Sequence, residues 1–125
     1  LVYNAGASHR TGPYLDWPLE DVLRVIRLNV EGQAILAHHF GRRMAARGRG
    51  GIVLMGSLAG NAGSPSVVAY SGAKAFSQLF TEGLYSELRD TTVTVASSEG
   101  NRTPPPIFLP YFRSPSMNSS SNRSG

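Results

Sequence analysis

The stretch GIVLMGS, residues 51 to 57, is an almost unbroken apolar run closed by a glycine and a serine. A run of this kind suits a strand buried on both faces, as in a parallel sheet. Its flanks narrow the choice. Before it lies PLEDVLRVIRLNVEGQAILAHHFGRRMAARG (18 to 48), in which Val22, Ile26, Ala34, Ala37 and Phe40 recur at helical intervals. Pro18 suits a first helical position, with Glu20 and Asp21 in the opening turn. Gly32 marks a kink or a point of close packing, so two consecutive helical pieces are expected, stopped by Gly48, Gly50 and Gly51. After the run, residues 66 to 89 read as a second long helix. Ala69, Ala73, Phe76, Phe80 and Leu84 form its expected inner stripe, and Glu82, Glu87 and Arg89 its exposed face. LVYNAG at the start and TVTVAS (92 to 97) read as further strands. Strand, helix, strand, helix, strand predicts right-handed crossovers and a parallel sheet.

A chain of 125 residues has room for one domain with one buried core. That domain is expected over residues 1 to 97. From 98 to 125 the composition turns to Pro clusters and then to Ser, Asn and Arg, which predicts an irregular or disordered tail. The chain has no cysteine, which excludes a disulfide framework and a thiolate metal site. That is compatible with a reducing cytosol, and a cytoplasmic location is expected. The net charge is +4, but much of it sits in Arg42, Arg43, Arg47 and Arg49 near the end of the first long helix. Cations there complement the helix dipole, so nucleic acid is not an expected partner. No apolar run approaches the roughly 20 residues of a membrane span, so no membrane partner is expected. His38 and His39 are adjacent and point to different sides of a helix, so no metal site is expected from them. The opening on LVYNAG, with no initiating Met and no basic-then-apolar leader, reads as the middle of a protein.

Open parallel sheets bind ligands outside the carboxyl ends of their strands. Three stretches converge on that edge: Asn4, Ala5 and Gly6 after the first strand, Ser57 at the end of the second, and Tyr70 in the first turns of the helix beyond. Tyr70 and Lys74 are four residues apart and share a helix face. A free phenol ionises near pH 10, and bringing it to neutrality takes roughly 4 kcal/mol. A cation about 4 Å away, at an effective dielectric of about 20, supplies roughly that much. The pair is therefore a candidate acid–base device. Ser57 can exchange a hydrogen bond with the substrate oxygen that shares its proton with Tyr70.

These residues carry a resemblance. YSGAK (70 to 74) resembles the Tyr-x-x-x-Lys motif of the short-chain dehydrogenase/reductase family, and LMGSLAG its serine-bearing strand end. YNAG resembles the family's Asn-Asn-Ala-Gly motif, with Tyr3 in place of the first Asn; RLNVEG resembles the segment whose Asn completes the catalytic tetrad. The likeness spans residues 1 to about 97. It implies an α/β fold: a Rossmann-like doubly wound parallel sheet, truncated to three strands with long helices, within a three-layer α/β/α arrangement. It implies hydride transfer between NAD or NADP and a small carbonyl or alcohol substrate. Tyr70 would be the general acid/base. Lys74 would lower its pKa and bind the nicotinamide ribose. Ser57 would polarise the substrate oxygen, and Asn29 would hold a water in a relay to Lys74. Asn4, Ala5 and Gly6 would line the cofactor groove, and the long helices would pair in a homo-oligomer. The family's Thr-Gly-x-x-x-Gly-x-Gly turn has no counterpart in the chain, and where the family usually has Pro-Gly followed by a Thr that touches the cofactor, SSEGNRTPPP has Glu99-Gly100, with Thr103 one place early. The expectation is an incomplete enzyme chain with weak cofactor affinity; the competing reading is a non-catalytic remnant or interaction module.

Overall fold

A computed structural model describes residues 1–8, 10–88 and 91, together with the backbone of 93–98. Its first strand, β1 (Val2–Tyr3), leads through a loop and a single 3-10 turn (Tyr14–Asp16) to α1 (Leu19–Ile26). Pro18 is the residue that caps α1 rather than its first helical position, with extended backbone at φ −57°, ψ 135°. Its carbonyl accepts from the amide of Asp21 at 3.0 Å. Asp21 also takes Arg10 Nε at 3.3 Å and Arg24 Nη1 at 3.6 Å, fastening the preceding loop to the helix. Both arginines are largely exposed, so each contact is worth under about 1 kcal/mol.

The expected break in the first long helix is present, but it is a π turn over Arg27–Glu31, ahead of Gly32. Helix α2 (Gly32–Ala46) follows directly. Gly32 has the second role expected of it, close packing. A Cβ there would overlap the Tyr3 hydroxyl, so a larger residue would displace the Tyr3 side chain from its place against the helix. A wider turn inserts one residue into the helical count and rephases the face that points inward. Val22, Val25, Asn29, Gln33, Ala37 and Met44 are buried, while Ile26 and Phe40, expected inside, are exposed. Helix α2 ends in a Schellman motif: Gly48 sits at φ 71°, its amide donates to Ala45 O at 3.1 Å, and Arg49 N donates to Met44 O at 3.2 Å.

Strand β2 (Gly50–Met55) pairs in parallel with β1, Val2 opposite Val53, and with β3 (Val93–Ser98), Ile52 opposite Val95. The order is β1-β2-β3. Between them α3 (Val68–Leu88) crosses back over the sheet. Both crossovers advance in the same direction, so right-handed connections place both long helices on one face. The described residues therefore supply the sheet and one helical layer of the expected α/β/α arrangement. Strand β2 shows the consequence. Ile52 and Leu54 are fully buried against the helices, whereas Val53 and Met55 are half-buried on the other face, so the strand is not covered equally on both sides. The core joins Tyr3, Ala37, Met44, Ile52 and Leu54, with Leu36, Phe80, Leu84, Tyr85 and Leu88 packed against it. Each fully buried aliphatic side chain contributes about 1.5–3 kcal/mol.

The inner face of α3 differs from expectation. Ser71, Ala73, Lys74, Ser77 and Thr81 are its buried residues, and Phe76, Phe80 and Leu84 are half-buried beside them. Hydroxyl groups survive there because the helix satisfies them itself: Ser77 Oγ donates to Ala73 O at 3.2 Å and Thr81 Oγ1 to Ser77 O at 2.6 Å. Glu82 and Glu87 are exposed as expected; Arg89 and the tail expected from residue 98 lie outside the described residues, apart from Ser98 at the end of β3. None of the described helices is long and apolar enough to cross a membrane.

Candidate active site

The carboxyl ends of β1 and β2 open onto one edge of the sheet, and the π turn and the start of α3 close over it. The π turn carries Asn29 inward until it is about 1% exposed. Its amide nitrogen donates to Val25 O and to Ala7 O, both at 2.9 Å, so its two hydrogens are used. Its Oδ1 is buried without a hydrogen-bond partner. An unpaired buried carbonyl of this kind costs about 1–3 kcal/mol.

Lys74 comes to the same place from α3. It is 6% exposed, and its Nζ donates to Met55 O, the last residue of β2, at 2.9 Å. Burial holds its ammonium below the ordinary lysine range. Asn29 and Lys74 meet over Gly6. A Cβ built on Gly6 would lie 2.7 Å from Asn29 Oδ1 and 3.2 Å from Lys74 Nζ. Glycine at this position keeps open the space into which the orphaned acceptor and the ammonium both point.

Tyr70 lies one helical turn before Lys74, whose Nζ is 5.7 Å from the centre of the Tyr70 ring. The i, i+4 spacing thus sets the phenol and the cation side by side on α3. Ser57 follows the end of β2 and caps a 3-10 turn, Leu58–Asn61, its Oγ accepting from Ala59 N at 3.3 Å. Ser57 and Tyr70 make no hydrogen bond to each other. The turn lies directly on α3. A Cβ on Gly60 would stand 2.7 Å from the Lys74 carbonyl carbon and 2.8 Å from Ala75 N. Asn4 and Ala5 are exposed at the end of β1, with Gly6 beyond them.

Three supporting residues escaped the sequence reading. The Tyr3 hydroxyl donates to Leu28 O within the π turn at 2.5 Å, and burial pushes that phenol above its usual value. Gln33 Nε2 donates to Asn29 O at 2.5 Å and to Ser77 Oγ at 2.7 Å. Gly60 is the third. A buried Gln at a helical core position was a signal available in the sequence, because an unpaired amide is costly there.

Residues 1–101 match the family described as short chain dehydrogenase. The chain belongs to that family. This short chain dehydrogenase chain is 38% identical over 96 residues to a very-long-chain 3-oxoacyl-CoA reductase of Laccaria bicolor, a match covering 76% of this chain and 28% of that protein. The closed form of serine dehydrogenase complexed with NADP+ superposes with a TM-score of 0.75 at 30% identity, over 79% of this chain and 40% of that one. A 7beta-hydroxysteroid dehydrogenase gives a TM-score of 0.74 at 32% identity, over 78% of this chain and 38% of that one. The chain therefore spans between 28% and 40% of the length of these relatives. Asn4, Ala5, Gly6, Asn29, Ser57, Tyr70 and Lys74 all fall within the stretch that the family match covers.

Proposed function

We propose that this chain supplies the acid–base half of an NAD- or NADP-dependent oxidoreductase acting on a carbonyl or alcohol. The observation that carries the proposal is the meeting of Asn29 Oδ1 and Lys74 Nζ over Gly6, with Tyr70 and Ser57 on the same sheet edge. The residues fit a nicotinamide nucleotide: an ammonium that can donate to a ribose hydroxyl, an unpaired acceptor, and the exposed residues Asn4 to Gly6, of which Gly6 has no side chain to block approach. The nicotinamide, when bound, supplies or accepts the hydride. Tyr70 passes a proton between its hydroxyl and the substrate oxygen. Ser57 Oγ, engaged only by the long bond from Ala59 N, turns to that oxygen and holds it in line. Lys74, anchored to Met55 O, would hold the nicotinamide ribose through a further N–H of its ammonium. Asn29 Oδ1 orders a water beside Lys74, through which the proton spent at Tyr70 is replaced.

The related proteins are a very-long-chain 3-oxoacyl-CoA reductase, a serine dehydrogenase and a 7beta-hydroxysteroid dehydrogenase, the first named for a carbonyl compound and the other two for hydroxyl-bearing ones. A carbonyl or alcohol is the substrate class proposed for this chain. The long helices are proposed to pair two copies.

Replacing Tyr70 by Phe in the full-length protein tests the assignment. Carbonyl reduction is expected to fall about 10²–10⁴-fold, with nicotinamide binding, followed by calorimetry, kept. A folded Tyr70→Phe protein with near-parental turnover overturns it.

A further inference from the structure

We propose that Gln33 and Ser77 form a positioning clamp that sets the register of the π turn against α3, and so fixes Asn29 relative to Lys74. This rests on the oxidoreductase reading for its catalytic meaning, though not for its geometry. Both side chains are about 1% exposed. The bond to Asn29 O settles which end of the Gln33 amide is nitrogen, because a carbonyl can only accept. One hydrogen of Nε2 goes to Asn29 O at 2.5 Å and the other to Ser77 Oγ at 2.7 Å. Ser77 passes its own proton to Ala73 O at 3.2 Å. The path is directional and every proton in it is used. It begins on the backbone of Asn29 and ends on the backbone of the residue before Lys74.

An apolar pair could fill the same volume, but it would hold the two helices only by shape. A slip of one helix along the other costs an apolar contact little, whereas here it leaves a buried amide hydrogen unpaired. Such a slip would move Asn29 Oδ1 away from the space it shares with Lys74 over Gly6. Met55 O from β2 and the Tyr70 ring from α3 are the other groups that face the ammonium. Loosening the clamp lets water in beside Lys74, and its titration moves toward the ordinary lysine range. Gln33 and Ser77 touch neither substrate nor cofactor in this scheme; they act through Asn29 and Lys74.

The test uses the full-length protein and the pair of changes Gln33→Leu with Ser77→Ala, which removes both polar side chains of the clamp together and leaves the Asn29 carbonyl without its side-chain donor. The double variant is expected to melt within about 5 °C of the parent. Its Lys74 side-chain NMR titration is expected to shift upward, and its kcat to fall about tenfold or more with nicotinamide KM little changed. Ser77→Thr keeps the hydroxyl and is expected to keep the parental titration and kcat. A folded double variant with the parental Lys74 titration overturns the clamp. If the double variant does not fold, Ser77→Ala against Ser77→Thr decides: a shift in the first alone supports the clamp, and equal titrations overturn it. A parent without turnover would sink the oxidoreductase reading, while the Lys74 titration would still decide the clamp.

Discussion

Tyr3 and Lys74 are both buried titratable groups, and burial moves them in opposite directions. The Tyr3 phenol is held above its usual value and the Lys74 ammonium below its own. Their effects on stability follow from which state binds more protons. Above about pH 10 the unfolded chain ionises Tyr3 while the folded chain keeps its proton, so the folded state binds more and stability falls as pH rises further. The contribution of Tyr3 is complete below that range. Lys74 works the other way. Between its lowered folded value and the ordinary lysine value of about 10.4, the unfolded state binds more protons, and stability rises with pH. The parent's unfolding midpoint in urea, followed from pH 8 to 11, is expected to carry both slopes. Tyr3→Phe should cost roughly 1 kcal/mol at neutral pH, from the lost bond to Leu28 O, and should lessen the alkaline decline. Lys74→Met should flatten the rise that precedes it. A Tyr3→Phe protein that declines in parallel with the parent at high pH would contradict the assignment.

At the scale of elements, glycine separates positions where the fold needs closeness from positions where it does not. Gly60 lets the turn after Ser57 lie against the backbone of Lys74, with no space for a Cβ. Gly83, inside α3, has nothing within 4 Å of the same position. Gly60→Ala is expected to destabilise by about 1–3 kcal/mol, because backbone rather than a movable side chain must give way. Gly83→Ala is expected to stabilise by about 0.5–1 kcal/mol, the ordinary helical advantage of alanine. Chemical denaturation of both variants checks the pair, and equal effects would mean that the turn can retreat from α3. The positions of the candidate site residues were legible in the sequence because short spacings fix them. Tyr70 and Lys74 share a face whatever the tertiary context, and Ser57 closes an unmistakable apolar strand. What surrounds them was less legible. A kink was expected at Gly32, but the break falls over Arg27–Glu31, where the Leu28 and Asn29 carbonyls take side-chain donors from Tyr3 and Gln33. The Tyr3 donor lies 25 residues away, and no local pattern announces it. The polar inner stripe of α3 was hidden for a related reason: serine and threonine there are satisfied by their own helix, and they read as surface residues in a periodic pattern.

Across the whole molecule, the two helical crossovers leave an apolar surface on the side away from the sheet. A groove of about 340 Å³ runs between them, lined by Tyr14, Val22, Ile26, Val30, Val68 and Gly72 among others. Of its lining residues Tyr14 is 43% and Val68 47% exposed. A contiguous exposed apolar surface marks a place where something binds. A second copy is the occupant expected here, because a two-fold pairing sets the same groove against itself and covers both at once. Ile26 lines the groove from the end of α1, where the chain turns into the π segment, and it is 36% exposed. A charge at that position would be desolvated in the pair but free in the single chain. Ile26→Lys is therefore expected to convert a dimer or larger assembly into a monomer by light scattering, with helix content by circular dichroism unchanged. A parent protein that is already a monodisperse monomer with native helix content would remove the second copy as the partner of this face.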